Sequence, residues 1–180
     1  KVWTENAKKP DQIAAVVKHI VLSKEFAASR GAKPRSPLAL AATFARAAGI
    51  DLNPTMPLAQ QLAQCGQRMF GWASPDGRPT GMEYYLTPEY MRERWVLVAR
   101  LASNAWNNGQ PKALAVQAAQ GGAPLGAVVA TWLAAFAGRD APVDAFLKAL
   151  GENPDQPIKD EKRIAQLASL CAAAPQFHVT

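Results

Sequence analysis

The sequence predicts an all-α fold, about eight helices in an irregular bundle with one long Trp/Pro/Gly-rich loop. Apolar residues recur three and four positions apart along most of the chain, the spacing that gathers side chains on one face of a helix. A Ser-Pro and a Thr-Pro pair open two of these runs and glycines close them, which is helix start and stop chemistry. No stretch alternates convincingly between apolar and polar residues, as a half-buried strand would.

In chain order, Pro10 and Asp11 precede Ile13, Val16, Val17 and Ile20, an amphipathic helix by its spacing. Ser36 caps a second helix with Pro37 at its first position and Gly49 as its stop, around Leu40 and Phe44. Pro57 opens a third, striped by Leu58, Leu62, Cys65 and Met69, with Gly66 weakening its end. Thr87, Pro88 and Glu89 start what reads as the longest helix, running to Gly109. Met91, Trp95, Val98 and Ala102 line one face of it, with Leu97, Leu101 and Ala105 beside them. The stretches PKALAVQAAQGG, APLGAVVATWLAAFAG, DAPVDAFLKALG and KDEKRIAQLASLCAAAPQF complete the set, each bounded by Gly or Pro.

The 180 residues suit a single domain able to bury a core. Residues 1–110 form its first part, with the loop at 70–86, and 111–180 its C-terminal helices. No apolar run reaches the length of a membrane span. The net charge of +6 is uneven: residues 1–50 hold nine Lys and Arg against three Asp and Glu, while the rest is balanced. Without interleaved aromatics, that basic excess reads as a solvated face rather than a nucleic-acid surface. Lys1 stands where an initiator Met would be, and the chain reads as an excised piece of a longer protein whose export signal, if any, lies upstream.

The segment GQRMFGWASPDGRPTGMEYY, residues 66–85, raises the functional question. Asp76-Gly77 is a turn signal stiffened by Pro75 and Pro79. In one reading the loop is a structural plug with Trp72 buried on its own helices. In the other, Trp72, Tyr84 and Tyr85 with Asp76, Arg78 and Arg94 form an aromatic and cationic surface suited to a sugar ring or a peptide. A seventeen-residue connection is long for a helical domain, and long loops often carry function. Arg94 is expected to brace the loop, paired with Asp76 or Glu83 or hydrogen-bonded to loop carbonyls.

The segments HIVLSKEFAASRGAKPRSPLALAATFARAAG and LAQCGQRMFGWASPDGRPTGMEYYLTPEYMRERW, with the terminal LASLCAAAPQF, resemble the C-terminal part of the bacterial domain-of-unknown-function 1800 family. The resemblance rests on Phe26, Arg30, Gly31, Ser36, Pro37, Arg46, Gly66, Gln67, Phe70, Gly71, Trp72, Pro75, Asp76, Gly77, Pro79, Tyr85, Leu86, Arg94 and Trp95. Met69 departs from the expected proline or small apolar residue, and Tyr85 from the usual Trp. The resemblance implies a mostly helical, exported bacterial protein, periplasmic or extracellular, often encoded beside a sulfatase-like family. It implies no known reaction.

No catalytic constellation accompanies it. Asp76 and Glu83 invite a paired-carboxylate reading, but seven residues of loop set no distance between them. His19 and His178 are the only histidines, and no HExxH or paired CxxC supplies a metal site. Cys65 and Cys171 act most simply as small buried hydrophobes, with oxidation to a pair open in an exported protein. No cofactor motif is present. The leading expectation is a helical module, non-catalytic by itself, whose Trp72 loop first of all organises the fold and is also a surface for a cell-envelope glycan or the product of the neighbouring sulfatase-like gene. The alternatives are part of a hydrolase of cell-surface polymers, completed by residues upstream, and nucleic-acid binding through residues 1–50.

Overall fold

The computed structural model describes residues 1–103, 105, 122–138 and 141–180. Along these residues run ten α-helices. They are α1 Val2–Glu5, α2 Gln12–Val21, α3 Lys24–Ala28, α4 Pro37–Ala48, α5 Met56–Gln64, α6 Met82–Tyr85, α7 Pro88–Ala102, α8 Leu125–Ala137, α9 Val143–Leu150 and α10 Glu161–Ala172, before a 3-10 turn at Pro175–His178. There is no strand among the described residues, only isolated antiparallel bridges of Pro34 with Val179 and Pro124 with Pro157. The fold is all-α, with more and shorter helices than the sequence pattern suggests. The helix expected over PKALAVQAAQGG falls almost wholly outside the described residues.

Side-chain caps set half of the ten helix starts. Ser36 Oγ accepts from the Ala39 N–H, Thr55 Oγ1 from Leu58 and Thr87 Oγ1 from Tyr90, each satisfying a donor that the first helical turn leaves open. Gly49 closes α4 in the left-handed conformation at φ 66°. Ser23 caps a separate helix, accepting from the Phe26 N–H, so the first predicted helix is divided into α2 and α3. α7 ends at Ala102, short of the expected Gly109. There Ser103 Oγ donates to the Arg100 carbonyl, and the Ala105 N–H reaches the same carbonyl at 3.0 Å. A side chain competing for helical carbonyls and a bond five residues back are both ways to stop a helix.

The core is built from α4, α5, α7, α8 and α10. α10 packs on α8 and α7, α4 on α7 and α8, and α5 on α7. Along α8, Leu125, Val128, Val129, Trp132, Leu133 and Phe136 are all buried. Phe136 is the hub: it stacks on Phe44 at 5.1 Å and on Trp132 at 5.4 Å, and meets Phe177 at 5.0 Å. Such ring pairs stabilise beyond the area they bury.

One expected apolar face lies open to solvent and another departs at a single ring. On α2, Ile13 is 71% exposed, and Val17 and Ile20 are exposed as well. That helix packs chiefly on α1 and α3. Its periodicity identifies a helix and says nothing about what stands opposite. On α7 the expected Leu97, Val98, Leu101 and Ala102 are buried, joined by Glu93 and Arg94, while Trp95 faces solvent. The expected face is thus kept in its second half, and near its start Arg94, read as a loop brace, enters the interior in place of Trp95.

Phe136→Ala should therefore cost about 3–5 kcal/mol, whereas Ile13→Ala should cost under about 1 kcal/mol. Urea unfolding of both variants checks this, and equal losses would contradict the placement of the core.

Candidate functional site

The displayed segment is anchored at both ends. Gly66 holds φ +86°, and a Cβ there would stand 2.9 Å from the Tyr90 ring, so both backbone conformation and space call for glycine. Buried Gln67 turns its Oε1 to the Leu38 N–H at 2.8 Å, a second acceptor for the first turn of α4. From the far end, Tyr84 donates its hydroxyl to the Gly66 carbonyl at 3.1 Å. Between these anchors the chain turns at Pro75–Asp76, and Gly77 takes φ +83°, as the Asp-Gly pair predicts.

Trp72 remains 41% exposed and stands edge-on to Tyr84, with ring centroids 6.1 Å apart. Tyr84 also contacts Tyr85 at 4.8 Å and Tyr90 at 5.7 Å, so the indole rests on a packed aromatic pedestal. Burial raises the Tyr84 pKa and Tyr90 adds to this, while the nearby Arg78 charge works the other way. Arg78 is half-buried, and its Nε and Nη1 are buried without a partner. Asp76 and Glu83 are exposed. Tyr85, rather than Trp72, is the ring of this segment that enters the protein.

Arg94 does not belong to the displayed surface. It is 0% exposed, and its hydrogen bonds run to neither Asp76 nor Glu83 nor any loop carbonyl. Nε donates to His178 Nδ1 at 3.2 Å, and Nη2 to the Arg35 carbonyl at 2.5 Å and the His178 carbonyl at 3.5 Å. Arg94 braces the end of the chain and the segment before α4. Burial lowers its pKa to about 10, which leaves it charged at neutral pH. The sequence reading missed His178, which stands two residues from the last position and looks like an ordinary terminal histidine. It also missed Phe70, which is fully exposed and holds φ +54°, a conformation rare for an aromatic residue.

A cavity of about 280 Å³ opens beside Tyr85, lined by Lys33, Arg35, Ser36, Thr80 and Thr180 among others. A larger one, about 670 Å³, lies away from the loop between α7 and α10, with Val96, Ala99, Arg100 and Lys162 in its walls. The smaller carries the more directed chemistry, because Arg35 has a buried unpartnered nitrogen and no residue lining the larger does. Among the described residues no group of three His, Cys, Asp or Glu is arranged to hold a metal. Cys65 and Cys171 are buried free thiols, and burial pushes their pKa values up to about 11 and about 12, so neither presents a reactive thiolate. No helix among the described residues is long and apolar enough to cross a membrane.

A helical scaffold that anchors a displayed aromatic segment and gathers arginines beneath it is the class this geometry defines. The chain belongs to the family described as protein of unknown function (DUF1800), which it matches over residues 1–179. The match takes in α1–α3 and the C-terminal helices as well as the segments that carry the resemblance. No curated protein and no solved structure matches the chain.

The Arg94–His178 contact gives stability a definite pH dependence. His178 must be neutral at Nδ1 to accept from Arg94. Burial first, then the Arg94 charge, lower its pKa from 6.5 to about 4; the Ala172 backbone opposes them, and the Arg35 charge adds a smaller lowering effect. The unfolded chain therefore binds the proton first. The stabilisation is full above about pH 6.5 and is lost as pH falls toward 4, by an amount on the order of 3 kcal/mol. Denaturant midpoints between pH 7.5 and 4.5 should fall in the wild type and flatten in His178→Gln. Parallel falls in the two proteins would remove His178 as the cause.

Proposed function

We propose that the chain is a non-catalytic binding module of the bacterial cell envelope, which takes up a glycan on the aromatic segment around Trp72. The supporting observation is the exposed Trp72 indole, held edge-on over Tyr84 while Tyr84 is itself tied to Gly66. A solvent-facing aromatic on a packed support presents apolar area to a sugar ring at little ordering cost. Fully exposed Phe70 extends the same apolar display, and Arg78 places a cation close to Tyr84. The envelope location follows the family resemblance. The product of the neighbouring sulfatase-like gene is the protein partner to test beside glycans. Exposure of both Asp76 and Glu83 keeps a hydrolytic second reading in the same experiment, where shortened glycan products would replace simple retention.

Trp72→Ala should lower stability by less than about 1 kcal/mol while weakening retention on cell-envelope polysaccharide about tenfold or more. Affinity electrophoresis in polysaccharide gels, paired with thermal unfolding, reads both. Undiminished retention, or a loss of several kcal/mol, would contradict the display role.

A further inference from the structure

The smaller cavity is built where the two ends of the described chain meet. The Gly31 N–H donates to the Thr180 carbonyl at 3.0 Å, the Thr180 N–H to the Lys33 carbonyl at 2.8 Å, and the Arg35 N–H to the His178 carbonyl at 2.9 Å. This pairing fixes Lys33 and Arg35 on one wall, with Tyr85 and Thr80 from the aromatic segment on another. The Arg35 guanidinium lies over the Phe177 ring at 5.1 Å, and its Nη1 is buried without a partner. Arg94 reaches the same wall through the Arg35 carbonyl, and its own Nη1 is likewise buried and unpartnered. Near Tyr84, Arg78 repeats the pattern.

Three guanidinium groups thus carry buried N–H groups without acceptors, and none of the three has a carboxylate partner among the described residues. Buried polar groups without partners are rare in native proteins and point to a missing partner. A buried cation lacking a counter-ion is costlier still. Of the three, Arg35 lines the cavity, and the chemistry that answers it there is a negatively charged oxygen acceptor, since the arginine fork matches oxyanions in pairs of hydrogen bonds. Lys33 adds a mobile point charge, and Ser36, Thr80 and Tyr85 bring hydroxyl groups. A volume of about 280 Å³ exceeds what one small oxyanion fills, so the group can arrive attached to a larger molecule.

We propose that the cavity bounded by Lys33, Arg35, Thr80, Tyr85 and Thr180 is a binding site for an oxyanion, a sulfate, phosphate or carboxylate group borne by the ligand. The inference deepens the glycan reading and rests on it only for the sugar to which the anion is attached. Trp72 is joined to the cavity through Tyr84 and Tyr85. The two together describe an acidic glycan rather than a neutral one.

The test uses inorganic sulfate, inorganic phosphate and glucuronate separately, by isothermal titration calorimetry in a chloride background of matched ionic strength. The expected result is saturable one-to-one binding of at least one probe with Kd between about 0.1 and 10 mM. It should weaken about tenfold or more in Arg35→Met and by about threefold or more in Lys33→Gln, and stay unchanged in Lys18→Gln. Lys33 is exposed, so its variant keeps the test decisive if Arg35→Met does not fold. Which probe binds separates a sulfated from a phosphorylated or uronic-acid ligand. Absence of saturable binding to all three probes overturns the site, and so does an equal loss in Lys18→Gln, which would mark a general ionic-strength effect. Trp72→Ala is expected to leave these small-ion titrations unchanged. Failure here therefore removes the anion site alone, while failure of polysaccharide retention removes the loop reading alone.

Discussion

The structure depends on a cation placed in its interior. Arg94 sits on α7 among Leu97, Val98 and Leu101, with no exposed surface, and is held by a backbone carbonyl on one side and by His178 on the other. A guanidinium can occupy such a position because it spreads its charge over several donors, and carbonyl dipoles and a neutral imidazole answer most of them. The bonds join positions far apart in sequence, Arg94 to Arg35 and Arg94 to His178. They also fix the protonation state of the histidine, since an imidazolium could not accept from Nε. Charge, tautomer and chain topology are settled by one contact.

That contact organises the aromatic core behind it. With His178 fixed, the adjacent Phe177 is set against Phe136, and Phe136 in turn orders Phe44 and Trp132. The Arg35 side chain covers the outer side of Phe177, so the segment that offers its carbonyl to Arg94 also caps the ring stack. Loss of the polar contact would therefore be felt as loosened packing as well as a lost hydrogen bond. Local polar terms of about 1 kcal/mol each become consequential when they decide where large rings sit.

Local chemistry was legible in the sequence, and partnership was not. Ser36-Pro37 and Thr87-Pro88 act where they stand because a cap needs only the next three residues, and Gly49 needs only its own φ. The Asp76-Gly77 turn is legible for the same reason. The apolar stripe of α2 and the orientation of Trp95 were misjudged because periodicity gives a face but not its occupant. Arg94 was recognised as a bracing residue and assigned the wrong partner, since the nearest acids in sequence, Asp76 and Glu83, are not what lies nearest in space. The importance of His178 had no local signature at all, as it arises from a contact 84 residues away in sequence.

The same division explains how a long loop can serve recognition. Gly66, Gln67 and Tyr84 fasten it to α4 and α7, and Pro75, Pro79 and the Gly77 turn limit what the middle can do. A segment tied at its ends and stiffened at its tip loses less conformational entropy when a ligand arrives than a free chain of equal length. Of its rings, Tyr85 is buried while Trp72 stays 41% exposed. Burying one ring of a neighbouring aromatic set and displaying another lets the segment contribute to stability through Tyr85 while Trp72 and Phe70 stay exposed.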